Sequence, residues 1–299
     1  MKFLKANGID VCYDSFGDEN DETILLISGL GTQMIRWTEL FCQSLVAEGF
    51  RVIRFDNRDA GLSTHFTNLP SPDFAVLAKS ITAGQKPDVP YTLHDMAADA
   101  IGLLNALAIN QAHVIGRSMG GMIAQLMASD YPQRILSLIS IMSSTGNPNL
   151  PSAEPDVMAM LTKRLPNPAE DLEGYVTHTL LFANRIAGAG FAFDEESHRA
   201  IILEEFHRAY DPAGFGRQIA AIAATGDIRS RLVRIHVPTL VIHGADDALI
   251  PPACGKDTAS SIHGAELLLI NGMGHDLPVA LYQPLVTAIC KTLRQQNLG

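Results

Sequence analysis

Short apolar runs alternate with helix-like stretches along most of this chain, and that alternation limits the fold more than any other feature. Thr23-Ile24-Leu25-Leu26-Ile27 is apolar on both faces. That pattern suits a strand covered on both sides in a parallel sheet. A helical stretch follows from Ile35 to Glu48 and stops at Gly49, and Arg51-Val52-Ile53-Arg54-Phe55 reads as the next strand. Strand, helix, strand in this order is the crossover unit of a parallel sheet. Ile9–Phe16 precedes it as a strand, separated by the polar turn Gly17–Glu22. His113–Gly116, Ile135–Met142, Thr239–Ile242 and Leu267–Ile270 are further strands of the buried kind. Helices are expected at Met119–Tyr131, Ala253–Ile262 and Pro284–Arg294. Thr92 and Asp95 resemble a capping pair, and beyond them Met96, Ala97, Ile101, Leu104 and Leu107 share one helical face.

The middle of the chain breaks the rhythm. From Ser143 to about Arg234 no strand-like run occurs, and Pro148, Pro151, Pro155, Pro166 and Pro168 mark loops. Glu195–Tyr210 and Ala213–Thr225 read as helices, the first capped by Asp194. The expected organisation is an α/β core formed by residues 1–143 and 235–299, a mostly parallel central sheet flanked by helices. A helical cap, residues 144–234, is inserted after the sixth strand. Ligands of open α/β sheets bind at the strands' carboxyl edge, which is where such a cap would lie.

Composition removes several classes of function. The chain is 47% hydrophobic and 18% charged, enough to bury a sizeable core. The net charge of −10, without any run of Lys and Arg, disfavours nucleic acid as a partner. No apolar stretch reaches the ~18 residues that a membrane span needs. The N-terminus lacks an apolar signal region, so a cytoplasmic location is expected. Cys12, Cys42, Cys254 and Cys290 are far apart and form no C-x-x-C pair, and no H-E-x-x-H occurs. Buried reduced thiols and no metal are the expectation.

The chemistry centres on Gly116-Arg117-Ser118-Met119-Gly120-Gly121, between an expected strand and an expected helix. In so sharp a turn the central residue is strained, and its neighbours must lack side chains to avoid collision. Ser118 is then lifted clear of the sheet at a helix N-terminus, which favours negative charge. A serine hydroxyl needs a base to become a nucleophile. His275, in the loop Gly272-Met273-Gly274-His275 after the last strand, is the candidate. His113, His236 and His243 lie on or beside strands and suit packed or hydrogen-bonded roles, while His198 and His207, on a cap helix, could line the pocket but better suit a solvated helix face. An acid must orient the imidazole. Asp246 and Asp247 compete for that role after Thr239–Ile242; Asp247 is favoured, with Asp246 left to bind loop amides. The developing oxyanion needs two N–H donors. Met119, which follows the nucleophile, and Leu30 in Ser28-Gly29-Leu30-Gly31 are the candidates.

With these motifs in place, the chain resembles the α/β-hydrolase superfamily over most of its length. It is most similar to single-chain bacterial esterases and methylesterases of the aclacinomycin methylesterase type. Serine, acid and histidine fall in the order of that superfamily, and Asp56-Asn57-Arg58-Asp59-Ala60-Gly61-Leu62-Ser63 and Gly272–Pro278 recur there in similar form. The resemblance implies a Ser–His–acid mechanism without cofactor and a cap that sets substrate choice. Ser28 stands where relatives often carry His, and Asp59 where many carry Gly. Asp56, Arg58 and Asp59 read as a structural hydrogen-bond cluster. Arg117, unusual before the nucleophile, calls for an acidic neighbour. A serine at position 118 excludes the dehalogenases, which place Asp there.

The expected activity is hydrolysis of esters with small to medium uncharged acyl groups, by a monomer or homodimer. Leu161, Leu180, Leu181, Phe182, Phe191 and Phe206 could line an apolar pocket or simply pack. A proline iminopeptidase would need a cap carboxylate, with Glu204, Glu205 and Asp194 as candidates. A carbon–carbon bond hydrolase or a cofactor-free perhydrolase could use the same three residues, and a ligand-binding receptor on the same scaffold is the non-enzyme alternative.

Overall fold

A computed structural model describes residues 1–70 and 72–295. Among them eight strands form one sheet: β1 Lys2–Ala6, β2 Ile9–Phe16, β3 Thr23–Ile27, β4 Arg51–Phe55, β5 Ala112–Arg117, β6 Ile135–Ile141, β7 Thr239–Gly244 and β8 Glu266–Ile270. Their order is β1-β2-β4-β3-β5-β6-β7-β8. Only the pairings made by β2 are antiparallel; the rest of the sheet is parallel. The helices are α1 Glu39–Val46, α2 Phe74–Thr82, α3 Leu93–Ala106, α4 Met119–Asp130, α5 Pro155–Thr162, α6 Leu172–Ile186, α7 Glu195–Arg208, α8 Pro212–Thr225, α9 Arg229–Leu232, α10 Pro252–Ser261 and α11 Tyr282–Leu293. The run from α5 to α9 falls between β6 and β7, after the sixth strand.

Alternation along the strands sorts the core into two layers. Leu25, Ile27, Ile53, Phe55 and Val114 face α3 and α4, while Ile24, Leu26, Val52, Ile115 and Ile139 face α1 and α11. Both sets are almost wholly buried. Each such side chain removed from water contributes about 1.5–3 kcal/mol, so covering both faces is the main drive for this layering.

The expected strands and helices recur with small shifts at their ends, and four differences have physical causes. β1 lay outside the sequence reading, because Met1–Ala6 is short and exposed. Asn7-Gly8, both at positive φ, turns it back onto β2, and an Asn-Gly pair is a strong hairpin signal. The helix expected over Ile35–Glu48 is interrupted: a 3-10 turn at Met34–Arg36 ends at Trp37, and Thr38 caps α1 by accepting from Phe41 N–H. The stretch expected to be a buried strand at Leu267–Ile270 is the sheet's edge, with Leu267 and Leu269 more than one-third exposed. In the proline-marked stretch α5 and α6 appear. Pro155 opens α5 at its first turn, where proline costs no hydrogen bond.

Candidate active site

Ser118 closes β5 and caps α4 with φ 54° and ψ −124°. A non-glycine residue there stores about 1–3 kcal/mol of strain, which the surroundings must hold in place. Its N–H donates to Ile141 O at 2.9 Å, and its carbonyl accepts from Ser143 Oγ at 2.7 Å. The flanking glycines are required. A Cβ on Gly116 would strike the Gly120 carbonyl, and one on Gly120 would strike the Ile27 carbonyl. The elbow therefore packs backbone against backbone, which lifts the Ser118 side chain above the sheet.

β7 and β8 lead to the other two residues. The pairings Arg117↔Ile141, Ile141↔Ile242 and Gly244↔Ile270 place the ends of β5, β7 and β8 along one carboxyl edge. There His275 Nδ1 lies 2.7 Å from Asp247 Oδ2. The Asp247 carboxylate is fully covered, and its Oδ1 accepts the N–H groups of Leu249 and Ile250 at 3.0 and 2.8 Å. The acid is thus locked in place and aimed at the imidazole. Asp246, expected to bind those amides, is instead exposed. The side chain nearer the turn centre does both tasks. His243 supports the loop from beneath, donating Nε2–H to Ile250 O at 2.8 Å, and burial lowers its pKa and keeps it neutral. Among the described residues the Ser118 hydroxyl makes no hydrogen bond to His275, and such contacts often tighten only with substrate bound.

The loop after β3 lies against the elbow, since a Cβ on Gly29 would sit 3.2 Å from Ser118 Cβ. The Leu30 and Met119 N–H groups donate to no acceptor among the described residues. Gly31 N–H donates to Gln218 Oε1 at 2.8 Å, and the Phe215 ring covers Gly31, which has φ +64°. Gln218 and Phe215 of α8 were not legible in the sequence, because nothing local ties them to residue 31. The same holds for the contacts of His275 N–H with Ile186 O at 2.6 Å and Gly274 N–H with Ala187 O at 2.8 Å. The close-packed Gly188, Gly190, Gly272 and Gly274 were the available signal.

Other expectations divide. Asp56 and Asp59 hold their own loop by accepting the N–H groups of Leu62 and Phe66 at 3.0 and 2.8 Å, and with Arg58 each also pairs outward. Arg58 forks onto Asp99 at 2.6 and 2.7 Å, Asp56 meets Arg208 at 2.6 Å, and Asp59 meets Arg217 twice at 2.8 Å. Burial alone would raise the Asp59 pKa, yet Arg217 and the Tyr91 hydroxyl hold it below the usual carboxylate value. Asp59, His65 and Asp211 approach one another closely enough to suggest a metal, but the Arg217 guanidinium already binds both carboxylates. Arg117 has no carboxylate within ion-pair distance among the described residues. Its Nη1 reaches only Arg36 O at 3.4 Å, and its guanidinium lies over the Trp37 ring. His236 is exposed rather than packed, and His198 is no solvated residue, lying 3.4 Å from Asp276. The apolar candidates do not share one pocket. Leu180 packs with Val176 and Ile202, Phe182 with Val157, and Phe191 with the sheet core, while Leu181 is exposed. Burial pushes the thiols up, Cys12 to about 11 and Cys42 to about 12, so neither is a nucleophile at neutral pH.

The profile of the alpha/beta hydrolase fold matches residues 22–279. A rhodomycin D methylesterase of Streptomyces peucetius is 31% identical over 98% of both chains. The crystal structure of an enol-lactonase from Burkholderia xenovorans is similar at TM-score 0.73 and 25% identity, covering 98% of this chain and all of that one. A meta-cleavage product hydrolase from Pseudomonas fluorescens shares the fold at TM-score 0.76 and 18% identity, covering 99% and 98% of the two chains. By its strand order, its elbow and this likeness along its whole length, the chain belongs to the α/β-hydrolase fold family.

Proposed function

We propose that this protein is a serine hydrolase that cleaves carboxylic esters of small to medium acyl groups through an acyl-enzyme. Full-length likeness to a methylesterase supports ester hydrolysis. One observation carries the mechanism: the Asp247–His275 pair stands at the same sheet edge as a serine held at φ 54°. His275 Nε2 takes the Ser118 proton as Oγ attacks the ester carbonyl. The N–H groups of Met119 and Leu30 stabilise the oxyanion, and Asp247 stabilises the imidazolium. The C–O bond then breaks, the alcohol leaves with the proton from His275, and water activated by His275 releases the acid from Ser118. No metal or organic cofactor enters these steps. Residues 144–234 act as the cap over this edge. Four buried free thiols suit a reducing cytoplasm. Among the described residues no helix is long and apolar enough to cross a membrane.

The three carboxylates considered for an amine-binding site are occupied or misplaced. Glu205 pairs with Arg36 at 2.7 Å, Asp194 caps α7, and Glu204 is exposed. That favours esters over amino-terminal peptides. A fluorophosphonate should add to Ser118 alone, read by mass spectrometry. A p-nitrophenyl ester series from acetate to palmitate should be hydrolysed and proline p-nitroanilide should not. Labelling at another residue, or faster anilide cleavage, would overturn the reading.

A further inference from the structure

Beside the elbow, charged groups pair off and leave one cation over. Ile115 faces the α1 and α11 side of the sheet, so Arg117, two residues on along β5, faces the same side at the carboxyl edge. Around it stand Arg36, Glu205, Asp276 and Tyr282. Arg36 is bound by Glu205 at 2.7 Å, and Glu205 also accepts Gln33 N–H at 3.1 Å. Asp276 is met by His198 at 3.4 Å. Of these charged groups Arg117 alone has no anion in contact among the described residues, in a chain with ten more acidic than basic residues. The residue is part-exposed, and its Nε and Nη2 make no hydrogen bond among the described residues without being fully buried, so that edge of the guanidinium is reachable.

Two further donors beside it are unused. Among the described residues Trp37 Nε1 and Arg36 Nε are buried without an acceptor, and Trp37 is 1% exposed. Buried donors without partners are costly, so a protein rarely keeps two in adjacent residues beside an unpaired arginine. Burial disfavours the charge on Arg117, and an arriving anion would relieve that. A planar guanidinium donates best to a carboxylate, two N–H groups to its two oxygens.

We infer that Arg117, with the Arg36–Trp37 turn, is a specificity site for a carboxylate carried by the ester substrate. The site lies next to Ser118 in sequence. The inference rests on the serine-hydrolase reading and changes one part of the expected substrate: a half-ester of a dicarboxylic acid replaces an uncharged ester.

Two measurements test it. In Ser118→Ala protein, calorimetry should find monomethyl adipate bound at least about tenfold more tightly than methyl heptanoate. Adding Arg117→Met should remove that difference, and Arg117→Lys should keep part of it. In the active enzyme the ratio of kcat/KM for those two esters should fall at least about tenfold on Arg117→Met, with the loss mainly in KM. Equal binding of the two esters by Ser118→Ala, or a ratio unmoved by Arg117→Met, would overturn the carboxylate site. The binding arm needs no turnover, so it can fail while phosphonate labelling of Ser118 succeeds, and the reverse.

Discussion

Asp247 and Asp246 are neighbours in sequence and differ in everything that matters to the site. Asp247 is buried and bonded to His275 and two amides; Asp246 is exposed. Asp247→Asn should lower kcat/KM for a p-nitrophenyl ester by about 10⁴, the scale on which a wrong imidazole tautomer acts. Asp246→Asn should leave it unchanged, and equal losses in steady-state assays would refute the assignment. Arg217 presents a different kind of single-residue effect. It is the counterion of Asp59, whose depressed pKa means that the pairing stabilises the fold above the unfolded value near 3.9 and is lost as pH falls through the folded one. Arg217→Met leaves a buried carboxylate unpaired and should cost about 3–5 kcal/mol at neutral pH. In urea titrations that gap should narrow on acidification, because protonating Asp59 removes the orphaned charge in the variant and the paired one in the wild type.

Helix α7 shows how an element can be polar in sequence and still be an anchor. Its Glu205 holds Arg36, its Arg208 holds Asp56, and its His198 meets Asp276 beside His275. Burial would lower the His198 pKa, but the Asp276 carboxylate outweighs it and raises the value. A raised histidine pKa stabilises fully below the unfolded value near 6.5 and stops doing so as pH rises through the folded one. The melting temperature of the wild type should therefore exceed that of His198→Gln most clearly below pH ~6.5, and the two should converge in alkali. A pH-independent difference in scanning calorimetry would show that the contact is not ionic. The charged face of α7 reads as a solvated one in the sequence because the partners lie far away along the chain.

Across the whole molecule the helical segment and the sheet form one electrostatic structure. Asp56 and Asp59 follow β4, yet their arginines come from α7 and α8. Gln218 of α8 likewise supports the loop at Gly31. Replacing residues 144–234 by a short linker should therefore yield a core that fails to fold, since two buried carboxylates would lose their counterions together. Soluble yield and far-ultraviolet circular dichroism would check it. A stable, folded core would show that the segment is an independent module.

The sequence determined what local physics controls. Runs apolar on both faces specified the covered strands, the glycines around Ser118 specified an elbow, and Thr92 with Asp95 specified the start of α3, where both capping bonds form. Chain order along the strands was enough to single out His275 and the Asp246–Asp247 pair, of which the structure brings Asp247 to 2.7 Å from the imidazole. Tertiary structure alone decided the rest. It chose which of two adjacent aspartates is buried, exposed β8 at the sheet's edge, gave Arg208 and Arg217 their partners, and left Arg117 without one. The physical reason is that hydrophobic periodicity and turn sterics act over a few residues, whereas a buried charge is satisfied by whichever group the closed chain brings within about 4 Å, at any distance in sequence.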